Sequence, residues 1–186
     1  MRPQKLTTPQ ILQRCALQFK IHGYASTSME MLAKACGLTK AAFYYHFPNK
    51  EALLLEVLQH THQYLKKHLF QIELSGNTQI VMLFEQMHQR AVEFFSAEVC
   101  GCLIGIISLE AATISFEVYK KIQHIFQDWQ TAFYQLFSQK LDTIQAQTLA
   151  KISVADYEGA ILMYRFNQDC FYLEQVKQRI LKQIAC

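Results

Sequence analysis

The chain has 186 residues, of which 51% are hydrophobic and 18% are charged. This length and composition exclude a disordered chain and provide enough apolar surface for the buried core of one or two domains. The formal net charge is only +3, yet residues 1–50 carry seven Lys or Arg and one acidic residue, whereas residues 51–186 carry eleven and fourteen.

The apolar stretches and the cysteines indicate in which cellular compartment the protein is expected. The first ten residues are polar and lack the apolar centre of a signal peptide, and no run of about 18 apolar residues could cross a membrane. Six cysteines without a secretory signal indicate a reducing compartment and free thiols. We therefore expect a cytoplasmic protein whose basic N-terminal part has an anionic partner, and a solvated basic face is the equal alternative.

Three short helices are predicted in the first fifty residues. Capping residues mark their starts, and two glycines and a proline mark their ends. The starts are Thr8, Ser28 and Thr39, and the ends are Gly23, Gly37 and Pro48. Asn49 is a suitable cap for a fourth helix.

Longer helices are predicted after residue 50, because apolar residues recur there every three or four positions. A turn is predicted at residues 75–77, a loop at 142–152 and a helix start at Ser153. The total is about nine helices. The predicted fold is all-α, with a three-helix domain over residues 1–50 and a larger helical domain over 51–186.

The third helix has two chemically different sides. Lys40, Ala41, Tyr44 and Tyr45 share one side, and Phe43 and Phe47 share the other. A cation, two phenols and a small residue on an exposed helical side suit the major groove of DNA. The alternative is that the aromatic residues are all core residues, and the helical spacing supports this for the two phenylalanines.

Backbone N–H groups at helix N-termini extend this surface because they bind phosphate. The candidate DNA-binding residues are Thr27, Ser28, Thr39, Lys40, Ala41, Tyr44, Tyr45, His46 and Lys50. His46 lies nearer the buried side of the helical wheel, so a packing role is an equal alternative for that residue.

The segment CGLTKAAFYYHFPNKEAL resembles the DNA-binding segment of TetR-family transcriptional regulators, and the resemblance covers roughly residues 8–55. It implies that Thr27, Ser28, Lys40, Tyr44, His46 and Lys50 meet DNA, with Tyr45 at a sequence-reading position. Ala41 departs from the family pattern because glycine is frequent there. Met31-Leu32-Ala33 also replaces a commoner Asp-Ile-Ala-like run.

The resemblance further implies a homodimer and a helical ligand-binding domain. Two recognition helices about 34 Å apart would match successive major grooves of a palindromic operator. The expected function is that of a repressor released by a small effector, although activation stays open. We expect a dimer surface on the last two helices, formed by Gly159, Ala160, Ile161, Tyr164, Phe171 and Tyr172.

A pocket for the effector is expected in the larger domain, and its aromatic residues predict an apolar or aromatic ligand. The candidate wall residues are Phe84, Met87, His88, Phe94, Phe95, Cys102, Trp129, Phe133 and Phe166. For each of them, a role as an ordinary core residue is the favoured alternative.

Cys102 is also a candidate sensor of oxidants or electrophiles. Gly101-Cys102-Leu103-Ile104-Gly105 resembles a Gly-Cys-Leu-x-Gly motif of one TetR-family subset, although Ile106 replaces the Asn that commonly follows it. A position at a helix N-terminus would favour the thiolate. The alternative is a small buried cysteine.

The seven histidines show no spacing that indicates a metal site, and no cofactor is expected. Two other classes of function stay open. One is a helical thiol-dependent enzyme that uses Cys102, although no pattern supplies a base and an oxyanion site. The other is a protein-interaction module with a basic N-terminal part.

Overall fold

A computed structural model describes residues 6–72, 79–97 and 99–185 of the chain. In these ranges all regular structure is helical, which confirms the all-α prediction. The ten α-helices are α1 (Thr8–His22), α2 (Met29–Ala35), α3 (Lys40–His46), α4 (Lys50–Leu65), α5 (Ile80–Ser96), α6 (Leu103–Ser108), α7 (Ala111–Ile114), α8 (Phe116–Phe137), α9 (Thr143–Asn167) and α10 (Phe171–Ile184). A π-helical turn, Lys66–Phe70, follows α4. The turn predicted at 75–77 lies outside the described residues.

The helices form two compact units. The first comprises the described residues of 1–63 together with 103–123, and the second comprises those of 64–102 together with 124–186. The division therefore falls inside α4 and α8, and α6 and α7 belong to the same unit as the N-terminal helices. No helix of the described ranges is long and apolar enough to span a membrane.

Local sequence explains the helix ends of the first unit. Ser28 and Thr39 cap α2 and α3 by accepting hydrogen bonds from the N–H groups of Met31 and Ala42, each at 3.2 Å. Asn49 caps α4 in the same way through the N–H of Ala52 at 2.8 Å. These three predicted caps are confirmed.

Each unit has its own apolar core. In the first unit, α1, α2 and α3 pack around fully buried Phe19, Leu32 and Phe43. In the second unit, aromatic rings from α5, α8 and α9 meet in one cluster. Its buried rings are Phe84, Phe95, Trp129, Phe133, Phe137 and Tyr157.

The loop predicted at 142–152 is wrong, and so is the helix start at Ser153. Helix α9 begins at Thr143, and Asp142 caps it by accepting from the N–H of Gln145 at 2.9 Å. The buried side of this stretch consists of Ala146 and Ala150. Small alanines give a weak apolar signal, although they allow close packing of the helix.

Candidate DNA-binding surface and effector region

The exposed side of α3 carries the predicted set of side chains. Lys40, Ala41, Tyr44, Tyr45 and His46 are exposed, and Tyr45 is the most open at 88%. Because their helix also buries its opposite side, these side chains project from a fixed support. Ser28 and Thr39 are exposed at the adjacent helix starts.

Phe43 on the buried side of α3 and Phe47, which directly follows the helix, have exposed fractions of 0% and 2%. Their rings lie 5.3 Å apart. The core assignment for these two residues therefore holds, whereas the two tyrosines are exposed. His46 lies on the exposed side and its ring contacts that of Tyr45 edge-on, which corrects its placement near the buried side of the wheel.

Thr27 is not available to DNA, which corrects the prediction for this residue. Its side chain is 1% exposed, and its hydroxyl donates a 2.6 Å hydrogen bond to the carbonyl oxygen of Gly23. The hydroxyl stabilises the turn before α2, so Thr27 has a structural role.

Lys50 has a different environment from the one its sequence position indicated. Its ammonium donates to the carbonyl oxygens of Tyr24 and Thr27 at 2.7 and 2.8 Å, and it lies 4.1 Å from the centre of the Tyr24 ring. Burial lowers the pKa of Lys50, and the Glu110 carboxylate raises it. Since an ammonium has three N–H donors, one is left for a phosphate oxygen.

The predicted pocket residues separate into two groups. Seven of them are buried in the second unit: Phe84, Met87, His88, Phe95, Cys102, Trp129 and Phe133. Phe166 is 84% exposed, which excludes it from any buried pocket wall of the protomer. Phe94 stacks on Tyr64 at 5.3 Å and lines a surface groove of about 440 Å³ with Lys67 and Arg90.

Tyr157 is the central residue that the sequence analysis missed. Its hydroxyl lies 2.7 Å from Nδ1 of His88, and its ring contacts those of Trp129 and Phe133. Its position four residues after Ser153 could have identified it, had α9 been recognised as one helix through that point. Tyr157 and His88 together place one polar pair among aromatic rings.

Cys102 immediately precedes α6 and is 5% exposed. Its thiol hydrogen-bonds to the carboxyl of Glu158 on α9. Helix α6 has only six residues, so its dipole gives little support for a thiolate. The burial agrees with a core cysteine more closely than with an open reactive thiol.

The predicted dimer residues also separate by exposure. Ala160 and Ile161 are buried inside the protomer, so they are core residues and cannot form a surface, which corrects their assignment. Gly159 and Phe171 are exposed, and Tyr164 and Tyr172 are half-buried. The missed surface residues are Leu162, Met163 and Phe166, which are exposed apolar side chains on the same side of α9 as Gly159.

Comparison with known proteins links both parts of the chain to transcriptional regulators. Residues 5–57 match the family described as bacterial regulatory proteins, tetR family. Residues 79–179 match the C-terminal domain of LmrA/YxaF-like transcriptional regulators.

The sequences of individual relatives match this chain over most of their lengths. The uncharacterized HTH-type regulator YxaF of Bacillus subtilis is 27% identical over 165 residues, covering 86% of this chain and 85% of the relative. The HTH-type transcriptional repressor DhaR of a Mycobacterium species is 25% identical, with 84% and 81% covered. A TetR regulator structure from Legionella pneumophila has the same fold, with a TM-score of 0.88, 21% identity and coverage of 99% and 100%.

Proposed function

The chain belongs to the TetR family of bacterial regulatory proteins, and on this premise we propose that it is a homodimeric repressor of a palindromic operator. It is a helix-turn-helix transcriptional regulator and not an enzyme, since its relatives are regulators. The exposed side of α3 is the observation that carries the proposal. A chromosomal operator would place the protein in the bacterial cytoplasm.

Direct recognition of DNA is assigned to the exposed side of α3. Lys40 would bind a phosphate or a guanine edge, and Tyr45, as the most exposed ring, would contact base edges or a thymine methyl group. Tyr44 and His46 would bind the phosphate backbone beside it, and Ala41 would allow close approach. Ser28, Thr39 and the third N–H of Lys50 would add phosphate contacts.

Selection of bound oligonucleotides from a random pool tests the proposal. We expect an enriched palindrome whose half-sites are about one helical turn apart. Lys40→Gln should weaken binding to all sequences and reduce the slope of log K against log salt by about 1. Tyr45→Ala should instead change the enriched bases. Lys140→Gln removes the same charge from the exposed turn that follows α8 and serves as the control.

Two results would contradict this assignment. One is a pool that shows no enriched sequence while the protein is folded and its helical circular dichroism is intact. The other is an equal effect of the Lys40 and Lys140 substitutions, because the charge change alone would then explain the loss of affinity.

The dimer surface is assigned to the exposed apolar side of α9 and to the start of α10. Leu162, Phe166 and Phe171 are 63%, 84% and 57% exposed in the protomer. Exposed apolar side chains one helical turn apart, as Leu162 and Phe166 are, are typical of association surfaces. Homodimers are typical of the family, and a two-fold axis matches a palindromic site.

The effector is assigned to the aromatic cluster around Trp129 in the second unit. An apolar or aromatic molecule would contact Phe95, Trp129 and Phe133, and the His88–Tyr157 pair would supply its polar contact. Release from the operator requires that the effector bind one conformation more tightly than the other. Calorimetric titration with a panel of aromatic compounds tests this, and retention of operator binding at saturation would contradict it.

Thiol modification of Cys102 is the second route of release that we propose. Addition of the thiol to an electrophile such as a maleimide would separate the thiol from Glu158 and insert bulk beside α9. If the alkylated protein keeps its full operator affinity, this route is wrong. The small-molecule route is favoured because Cys102 is buried.

A further inference from the structure

The turn between α1 and α2, residues 23–28, is bound by an acidic side chain that lies more than eighty residues later in the chain. Glu110, in the short link between α6 and α7, accepts a 2.8 Å hydrogen bond from the N–H of Tyr24 at Oε1. Its Oε2 accepts a second bond of 2.8 Å from the N–H of Ala25. One carboxylate therefore binds two consecutive backbone groups of the turn.

Lys50 binds the carbonyl groups of the same turn. Its ammonium contacts the oxygens of Tyr24 and Thr27, as described above. The Glu110 carboxylate thus binds the backbone N–H of Tyr24, and the Lys50 ammonium binds the carbonyl oxygen of the same residue. Both partners are charged, and hydrogen bonds to charged groups are stronger than neutral ones.

Gly23 makes this contact sterically possible. Its φ of 75° lies in the region that favours glycine, and a Cβ atom at this position would lie 2.7 Å from Oε1 of Glu110. A side chain at position 23 would therefore displace the carboxylate. The contact between Glu110 and the turn therefore depends on glycine at position 23.

The turn leads directly to Ser28, the cap of α2, and α2 leads to α3 through Gly37. We propose that Glu110 is a positioning residue for operator recognition, an inference that rests on the proposed DNA-binding function. Its carboxylate fixes the turn relative to α6 and α7, and so fixes the orientation of the recognition helix in the first unit. Movement of α6 and α7 is then transmitted to α2 and α3 through the two hydrogen bonds.

A purely electrostatic role and a positioning role of Glu110 predict opposite effects on operator affinity when its charge is removed. Removing an acidic charge from a basic DNA-binding unit should raise the affinity for any DNA. A positioning role predicts a loss of operator affinity, while non-specific affinity stays the same or rises. The ratio of operator affinity to non-specific affinity therefore separates the two explanations.

The test compares Glu110→Gln with Glu117→Gln at fixed salt. Glu117 lies in the same unit, is exposed in the first turn of α8 and is not bonded to the turn. Glutamine at 110 keeps the size of the side chain and loses one acceptor and the charge. We expect Glu110→Gln to lower the operator to non-specific ratio about tenfold, since a charged hydrogen bond is lost. Glu117→Gln should leave the ratio unchanged.

A general loss of stability would not produce this result. Partial unfolding reduces the active fraction, which scales operator and non-specific binding together and leaves the ratio constant. Gly23→Ala is the second variant, because it displaces the carboxylate while the acidic charge stays. We expect it to lower the ratio in the same direction, and the double variant to be no worse than the worse single variant.

The outcomes distinguish this inference from the proposed function. If the wild-type protein shows no preference for an operator, the proposed function is wrong. If the wild-type protein is specific but Glu110→Gln and Glu117→Gln give equal ratios, Glu110 has no positioning role and the inference is overturned.

Discussion

One buried and one half-buried ionisable residue of the second unit, His88 and Glu158, have pKa values that move in opposite directions. The pKa of His88 is lowered to about 4, mainly by burial and also by the charge of Lys177, while the charges of Glu174 and Glu85 oppose the shift. Burial raises the pKa of the Glu158 carboxyl to about 7, although the hydrogen bond from Cys102 opposes the shift. Both groups are therefore more easily neutral in the folded protein than in the unfolded chain.

The signs of the two contributions to stability are opposite between pH 5 and pH 7. The unfolded chain protonates His88 first as the pH falls below about 6.5, so this residue makes the fold less stable at lower pH. The unfolded chain ionises Glu158 first as the pH rises above about 4.5, so this residue makes the fold less stable at higher pH. Each change amounts to about 2 kcal/mol over this range, and the two nearly cancel.

Single substitutions should reveal the cancellation. With His88→Gln, the free energy of unfolding should fall by about 2 kcal/mol from pH 5 to pH 7, because Glu158 is then the one residue of the pair that titrates. With Glu158→Gln, it should rise by about 2 kcal/mol over the same range. Urea unfolding at several pH values measures both slopes. Parallel pH profiles for the two variants would show that these residues do not titrate as described.

Lys50 and Thr27 show where sequence reasoning fails at the scale of single residues. Both positions were identified correctly as part of the DNA-binding segment. The family pattern does not show that Thr27 bonds to Gly23 or that Lys50 bonds to Tyr24 and Thr27. These bonds depend on the three-dimensional path of the turn, so exposure could be predicted for Tyr45 but not for Thr27 and Lys50.

The turn between α2 and α3 depends on one glycine. Gly37 has a φ of 65°, and its N–H and that of Leu38 donate back to the end of α2. No atom lies within 4 Å of a Cβ built on it, so a side chain would be strained only by its backbone angle. At Gly23, by contrast, a side chain would be strained by the backbone angle and would also collide with the Glu110 carboxylate.

Substitution at Gly37 should therefore have a small and graded effect. Gly37→Ala should lower the free energy of unfolding by about 1 kcal/mol. Gly37→Asn should cost less, since asparagine tolerates the left-handed region. Gly23→Ala should cost more than Gly37→Ala because a steric contact is added. Urea denaturation measures the series, and a larger loss at Gly37 than at Gly23 would contradict this explanation.

Helix α9 shows which helix boundaries and buried positions could be predicted from the sequence. The caps at Ser28, Thr39 and Asn49 were predictable because their chemistry is local. The first ten residues of α9 were not, because buried Ala146 and Ala150 add little to an apolar pattern. The second half of α9 is apolar on both sides, so the pattern could not tell buried Ile161 from exposed Leu162.

At the scale of the whole molecule, we propose that recognition of a palindromic operator requires a second protomer, which the apolar side of α9 would bind. Gly159 lies in this surface, and a Cβ atom built on it meets no atom within 4 Å. A larger side chain is therefore compatible with the protomer. It would even favour the helix, because glycine inside a helix is less favourable than other residues by about 1 kcal/mol.

Gly159→Leu should thus separate folding from association. We expect the protomer to be as stable as the wild type or more so, while the close approach of a partner helix is blocked. Leu162→Arg should weaken the dimer as well, by placing a charge in an apolar surface. Met82→Arg, a change of an equally large exposed residue on α5, is the control.

Sedimentation equilibrium gives the dimer dissociation constant, and titration with full and half operators gives the functional consequence. Gly159→Leu and Leu162→Arg should raise the dissociation constant at least tenfold, since each removes a contact of about 1.4 kcal/mol or more. They should lower affinity for the full palindrome much more than for a half-site, because each recognition helix is unchanged. If both variants stay dimeric while Met82→Arg does not, the subunits associate through α5 instead of α9.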